Sequence, residues 1–108
     1  MRGEVRRGEV WWAQLPKPAG RRPVVLVSRN EAYPVRALIS VVPVTTHVRA
    51  IPVEVPLGRE EGLSRRCVAN ADTITTILKA ALVEYAGVLT PEKVGLLNAA
   101  IRFALGTD

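Results

Sequence analysis

The 108-residue chain has one cysteine, one histidine and no long apolar run, and each scarcity excludes something. A lone Cys67 permits no internal disulfide, which fits a reducing compartment. Zinc sites are built from clustered His, Cys and carboxylate donors. Here His47 stands alone, and Glu60 and Glu61 are neighbours in a loop that read as a solvated charge pair. No stretch approaches the ~20 apolar residues of a membrane-spanning helix. Met1-Arg2-Gly3-Glu4 lacks the apolar centre of a signal peptide. The expectation is a cytoplasmic protein without membrane association. No glycine-rich phosphate loop of the P-loop or dinucleotide kind is present, so neither a nucleotide cofactor nor a metal is expected. One histidine also rules out, within one subunit, a nuclease that pairs two histidines as acid and base.

What is present is apolar residue at 48% of the chain, enough for one packed domain without staples. The formal charge is +5 and the isoelectric point about 10.1. A basic balance of this size favours a polyanionic partner, and its distribution strengthens that reading. Arg2, Arg6, Arg7, Lys17, Arg21 and Arg22 crowd residues 1–22 against Glu4 and Glu9. Arg-Gly-Glu-Val occurs at 2–5 and again at 7–10, too short for a structural repeat. Residues 1–6 are read as a tail and 7–108 as the domain.

Strand patterns dominate. Glu9–Ala13 alternates, with Val10 and Trp12 on one face and Trp11 on the other. Leu15–Gly20 is a loop by its Pro and Gly content. Pro23–Ser28 and Ala37–Val44 are apolar on both faces, as central strands are. Ile51–Pro56 alternates, but its prolines cannot donate to a ladder, which places it at an edge. Cys67–Ile74 reads as a fifth strand and Val83–Val88 as a short sixth. The one helix follows. Thr90 is a suitable N-cap, Pro91 suits the first helical position, and Glu92 complements the dipole. Val94, Leu97, Ile101 and Leu105 form an apolar stripe at helical spacing, widened by Leu96, Ala100 and Phe103, and Gly106 is a natural stop. The stripe is expected to pack on the sheet. Short strands followed by a single helix point to a mainly β fold, a small, strongly bent antiparallel barrel with a C-terminal helix.

Two polar clusters sit at strand ends. Arg22 precedes Pro23, so its backbone is extended where a loop enters an apolar strand. Thr45, Thr46 and His47 stand where the next apolar strand exits, with Arg49 close by. A guanidinium beside hydroxyl donors is suited to holding phosphate, and the ordinary alternative is a surface ion pair with strand threonines. Arg21 is the weaker neighbour, because adjacent strand residues point to opposite faces. Asn70, Asp72, Thr73, Thr75 and Thr76 form a third polar cluster, either a self-capped turn or a base-reading surface. Trp11 and Trp12 are candidates to stack on bases, against a plain core role.

These stretches resemble the MazF/PemK toxins of bacterial toxin–antitoxin systems. The resemblance rests on Arg7-Gly8-Glu9-Val10-Trp11-Trp12, Gly20-Arg21-Arg22-Pro23-Val24-Val25-Leu26-Val27-Ser28 and Val42-Pro43-Val44-Thr45. Gly62-Leu63, Cys67-Val68, Thr76-Ile77 and Gly87-Val88-Leu89 continue it in order, over roughly residues 7–105. It implies an SH3-like barrel of the kind shared with the CcdB gyrase poison, and a homodimer. It also implies metal-independent, sequence-selective cleavage of single-stranded RNA, messenger RNA in particular, with transfer or ribosomal RNA as other candidates. The implied partner is a cognate antitoxin with an acidic, disordered tail. The catalytic arginine and threonine of the family fall on Arg22 and Thr45, and the expected substrate-binding residues are Arg21, Ser28, Thr46, His47, Arg49, Asn70, Asp72 and Trp11. The chain departs from the family where Gln and Arg often precede Thr-Ile: Thr73 and Thr75 stand there, and Leu78 replaces a downstream acid. Those changes bear on which RNA is cut. A non-catalytic nucleic-acid-binding module and a gyrase inhibitor on the same fold remain alternatives.

Overall fold

A computed structural model describes residues 4–107. Seven strands form one curled antiparallel sheet. They are β1 (Glu9–Gln14), β2 (Arg21–Leu26), β3 (Leu38–Thr45), β4 (Glu54–Leu57), β5 (Cys67–Asn70), β6 (Thr75–Leu78) and β7 (Leu82–Val88). The order is β4-β5-β3-β2-β1-β7, with β6 also paired to β3. The prolines at 52 and 56 do leave the fourth strand at an edge, although Ile51–Val53 forms a turn and the strand starts only at Glu54. The second strand begins two residues earlier than its apolar run and ends at Leu26. Beyond it the Ser28 hydroxyl accepts the Ser40 amide at 2.8 Å, and the Ser28 carbonyl accepts the Tyr33 hydroxyl.

The stretch read as one fifth strand is two. β5 stops at Asn70 because the Asn70 side chain accepts the Asp72 amide at 2.9 Å and the Thr73 hydroxyl donates to the Asn70 carbonyl at 2.9 Å. Side chains that bond their own backbone compete with a ladder. The result is a single 3₁₀ turn, Ala71–Thr73, after which β6 begins. β3 therefore changes partner along one side, pairing with β6 through Val41 and with β5 from Val44.

The sheet buries residues on both faces. Val10, Val25, Val42, Val44 and Val55 meet Leu97 and Ala100 of α1 (Pro91–Leu105), with Trp12 packed against them. Trp11, Val24, Leu26, Tyr33, Ile39 and Val41 form the opposite cluster, against which Val5 packs. The alternation of Trp11 and Trp12 is as expected. The helix is capped as its sequence indicates: Thr90 accepts the Lys93 amide at 3.2 Å, and Gly106 is left-handed at φ 70°. Its stripe is only partly used. Leu97 and Ala100 are buried, and Val94 and Ile101 half-buried, but Leu96, Phe103 and Leu105 remain about half exposed.

Glu61 is not solvated. It is fully buried in the 3₁₀ turn Arg59–Glu61, accepting Lys93 Nζ at 2.8 Å and the Gly58 amide at 2.7 Å. The helix thereby ties to the β4–β5 connection. That connection crosses β7 backbone to backbone: a Cβ on Gly62 would lie 1.9 Å from the Ala86 carbonyl oxygen, and one on Gly87 2.4 Å from the Glu61 oxygen. Only glycines permit this approach, which draws the edge strand β7 toward the far end of the sheet. Among the described residues, no helix is long and apolar enough to cross a membrane.

Candidate active site

The notch where β3 changes partners opens into a pocket of about 390 Å³. Its walls come from distant parts of the chain. Arg22 enters from the start of β2, and Pro43 and Thr45 from the end of β3. His47 and Arg49 belong to the following loop, and Asn70, Thr73 and Thr75 to the capped turn and its flanks. Leu15 and Ala19 of the β1–β2 loop complete the rim. No carboxylate lines it among the described residues.

The polar groups are held ready. Thr45 Oγ1 accepts the His47 amide at 3.1 Å, so its own O–H is left to donate elsewhere. The Arg49 and Ala50 amides both donate to the Glu54 carboxylate, at 3.0 and 2.8 Å, which pins the loop carrying His47 and Arg49. Ala50 sits at φ 58°, a left-handed conformation these two bonds sustain. The Asn70 carboxamide oxygen is used by the Asp72 amide, leaving the amide nitrogen as its remaining donor.

Arg22 carries the site's chemical signal. Its Nε is buried and has no hydrogen-bond partner. Leaving a buried donor unpaired costs about 1–3 kcal/mol, more for a charged group, and marks Arg22 as a residue whose placement calls for an explanation. A guanidinium with an open donor, a free hydroxyl, a second arginine and an imidazole around one notch form a receptor for an anion with several oxygens.

Of the residues singled out from sequence, Arg22, Thr45, His47, Arg49 and Asn70 line this pocket. Thr46 lies on the other side of Thr45, in an adjoining pocket. Four do not join them. Trp11 is buried, donates its indole N–H to Glu9 at 3.0 Å and meets Tyr85 edge to face, so it has no ring face to offer a base. Arg21 points away from Arg22, as strand alternation requires, ion-paired to Glu84 with its guanidinium 4.6 Å from the Trp12 ring centre. Ser28 is occupied with the Ser40 amide. Asp72 is exposed on the capped turn and lines neither pocket. Sequence reasoning missed Leu15, Ala19 and Glu54. The two Glu54 bonds fall within five residues, and an acid after a Pro-Val turn was their only signal.

Residues 6–105 match the family model described as "PemK-like, MazF-like toxin of type II toxin-antitoxin system". The chain is 35% identical over 100 residues to a protein of Mycobacterium tuberculosis named "Probable endoribonuclease MazF5", covering 92% of this chain and 91% of that one. The solved structure "Mycobacterium tuberculosis toxin MazF-mt6" superposes with a TM-score of 0.86 at 31% identity, over 93% of this chain and 98% of that one. A second, "Endoribonuclease in complex with its cognate antitoxin from Mycobacterial species", gives 0.83 at 33%, over 96% and 97%. With the family model spanning nearly the whole fold, and relatives of this identity covering more than nine-tenths of it, the chain belongs to the PemK-like, MazF-like toxins of type II toxin–antitoxin systems.

Proposed function

We propose that the chain is the toxin of a toxin–antitoxin pair, acting in the cytoplasm as a sequence-selective, metal-independent endoribonuclease on single-stranded RNA. The observation that carries this reading is that Arg22, a guanidinium whose buried Nε has no partner, lines the same pocket as the free donor of Thr45. A binding module does not need these two groups to converge, nor does a gyrase inhibitor.

The reaction follows from the groups present. The ribose 2′-OH attacks the adjacent phosphorus, the P–O2′ bond forms, and the P–O5′ bond breaks. The products are a 2′,3′-cyclic phosphate and a 5′-OH end, and DNA, lacking the nucleophile, is inert. Negative charge builds on the non-bridging oxygens in the transition state, where the Arg22 guanidinium and the Thr45 hydroxyl donate. Removing one such donor typically costs about 10²–10³ in rate. The 2′-OH loses a proton and the 5′-oxygen gains one. Arginine is a poor base, with a pKa above ~12, so Arg22 acts first as charge stabiliser and second as proton shuttle. His47, exposed at the rim, is the candidate helper.

The inhibitor is an antitoxin whose acidic, disordered tail folds onto the cationic notch; the relative solved with its cognate antitoxin supports a partner of that class. The working form is a homodimer. Leu38 and Leu78, opposite each other on β3 and β6, are 56% and 57% exposed, apolar surface that a second copy would cover.

The test is cleavage of an end-labelled, mixed-sequence single-stranded RNA in excess EDTA, beside the Arg22→Ala protein. Cyclic-phosphate fragments from the parent alone are expected. No fragments from either protein across several RNAs would overturn the reading.

A further inference from the structure

The loop between β3 and β4 brings His47 and Arg49 to the pocket. It starts with the His47 amide on Thr45 Oγ1 and ends in a turn, where the Glu54 amide donates to the Ile51 carbonyl at 3.0 Å. Residues 46–50 are exposed between those points, and Pro52 has no amide to offer. One side chain fixes the middle of the loop. Glu54 Oε1 accepts the Arg49 amide at 3.0 Å and the Ala50 amide at 2.8 Å, and Oε2 accepts Arg49 again at 3.2 Å. Ala50 is thereby kept at φ 58°, a conformation that disfavours any residue with a Cβ.

Glu54 also stands where the opposite wall of the pocket begins. It is the ladder partner of Asn70 between β4 and β5, and the carbonyl of the preceding Val53 accepts the Ala71 amide at 2.9 Å. Val53 itself is buried in the helix-side core. The start of β4 is therefore fixed both by the core and by the Asn70 turn, and from there the carboxylate reaches the loop. By charge alone, a carboxylate beside a notch for a polyanion works against binding. What it contributes is geometry.

We propose that Glu54 is a positioning residue for RNA cleavage: it ties the wall that carries His47 and Arg49 to the wall that carries Asn70, and so places the Arg49 guanidinium for a phosphate of the substrate. This rests on the ribonuclease reading above. Glu54 touches no substrate and acts through Arg49. Without the carboxylate two loop amides lose their acceptor, Ala50 relaxes out of the left-handed region, and Arg49 is no longer held at the rim. The loss falls on substrate binding, because Arg22 and Thr45 are carried by β2 and β3 and not by this loop.

The experiment measures kcat and KM on one RNA that the parent cleaves, with Tm for every protein. Glu54→Ala is expected to raise KM about 10-fold, the size of one lost hydrogen bond to a charged group, with kcat largely unchanged. Glu54→Gln keeps an oxygen able to accept both shorter bonds, so its KM should stay close to that of the parent. Both changes remove the same negative charge. Charge alone would therefore lower KM in both, and a lowered KM in Glu54→Ala overturns the inference. So does a Glu54→Gln protein as impaired as Glu54→Ala. Acting through Arg49 means that the two losses do not add: Glu54→Ala/Arg49→Ala should have the KM of Arg49→Ala alone, and additive losses would be contrary. Ala50→Pro reaches the same loop with Glu54 intact, removing one of the two amides and the left-handed φ, and should raise KM likewise. It decides the matter if Glu54→Ala unfolds below the assay temperature. Unchanged KM in Glu54→Ala and Ala50→Pro, beside an active parent, overturns the inference and leaves the nuclease reading standing. A parent that cleaves no RNA overturns both.

Discussion

At the scale of single residues, the site depends on donors rather than on a titrating pair. Arg22→Ala and Thr45→Val should each lower kcat by about 10²–10³ with little change in Tm, because each removes one hydrogen-bond donor from the transition state and neither is in a core cluster. Single-turnover cleavage alongside thermal unfolding would read both. His47→Ala should cost less than tenfold, since what reaches Thr45 from His47 is its backbone amide, which alanine keeps. A proton-transferring side chain supplies about 10²–10⁴, so a loss in that range would assign His47 the acid or base role. Arg22, Thr45, His47 and Arg49 were legible because each stands where an apolar run meets a loop. Trp11 was misread because two adjacent tryptophans look alike in sequence. Only the curl of the sheet decides that one is enclosed with Glu9 and Tyr85 while the other borders a pocket.

Among elements, the helix depends on a contact its own stripe does not announce. Lys93 donates to Glu61 at 2.8 Å and approaches Glu60 at 3.5 Å. Burial alone would lower the Lys93 ammonium; the hydrogen bond and charge of Glu61, with those of Glu60, outweigh it and hold the group above its ordinary value. Lys93→Met leaves a fully buried carboxylate without its cation. The expected cost is about 3 kcal/mol, at the low end for a broken buried pair because Lys93 is partly exposed. This is a fall of roughly 10 °C or more in Tm by calorimetry. A change under 2 °C would show that the pair does not hold the helix. Strand existence and order along the chain were readable from apolar runs, and the helix termini from Thr90, Pro91 and Gly106. The break between β5 and β6 was not, because Asn70 and Thr73 satisfy their own backbone locally while the run of small and β-branched residues continues through them.

For the whole molecule, charge and burial set two bulk responses. RNA binding should weaken with salt, with a slope near −0.7 in log K per phosphate neutralised, so three or four contacts give about −2 to −3. A flat response in a filter-binding titration would remove the cationic notch from recognition. Stability should be level from neutral pH to about 9 and fall above it. Cys67 and Tyr33 are both raised by burial, Tyr33 from 10.0 to about 12, so the unfolded chain releases protons that the folded one retains. The Lys93 pair adds to this: its contribution is complete below pH 10.5 and is lost as pH rises through the raised folded value. Urea midpoints at pH 7, 9, 10 and 11 would show the decline, and Tyr33→Phe should soften it above pH 10. A midpoint rising above pH 9 would contradict the assignment.

By itself the sequence determined the class of the molecule: a basic, disulfide-free, mainly β chain whose apolar runs must be strands and whose last segment must be a capped helix. These follow from composition, periodicity and local capping, which act within a few residues of chain. It also marked Arg22 and Thr45 as candidates for holding a phosphate, with a surface ion pair and ordinary strand threonines as the alternative. Only the tertiary structure decided that the two share a pocket and that Arg21, Ser28 and Asp72 do not. It likewise decided that Glu61 is buried and that Thr45 borders a second, apolar cavity. Each of those outcomes depends on where β3 exchanges β6 for β5 and on two glycines letting separate backbones touch. Such contacts join residues tens of positions apart, and no local pattern encodes which of them will close.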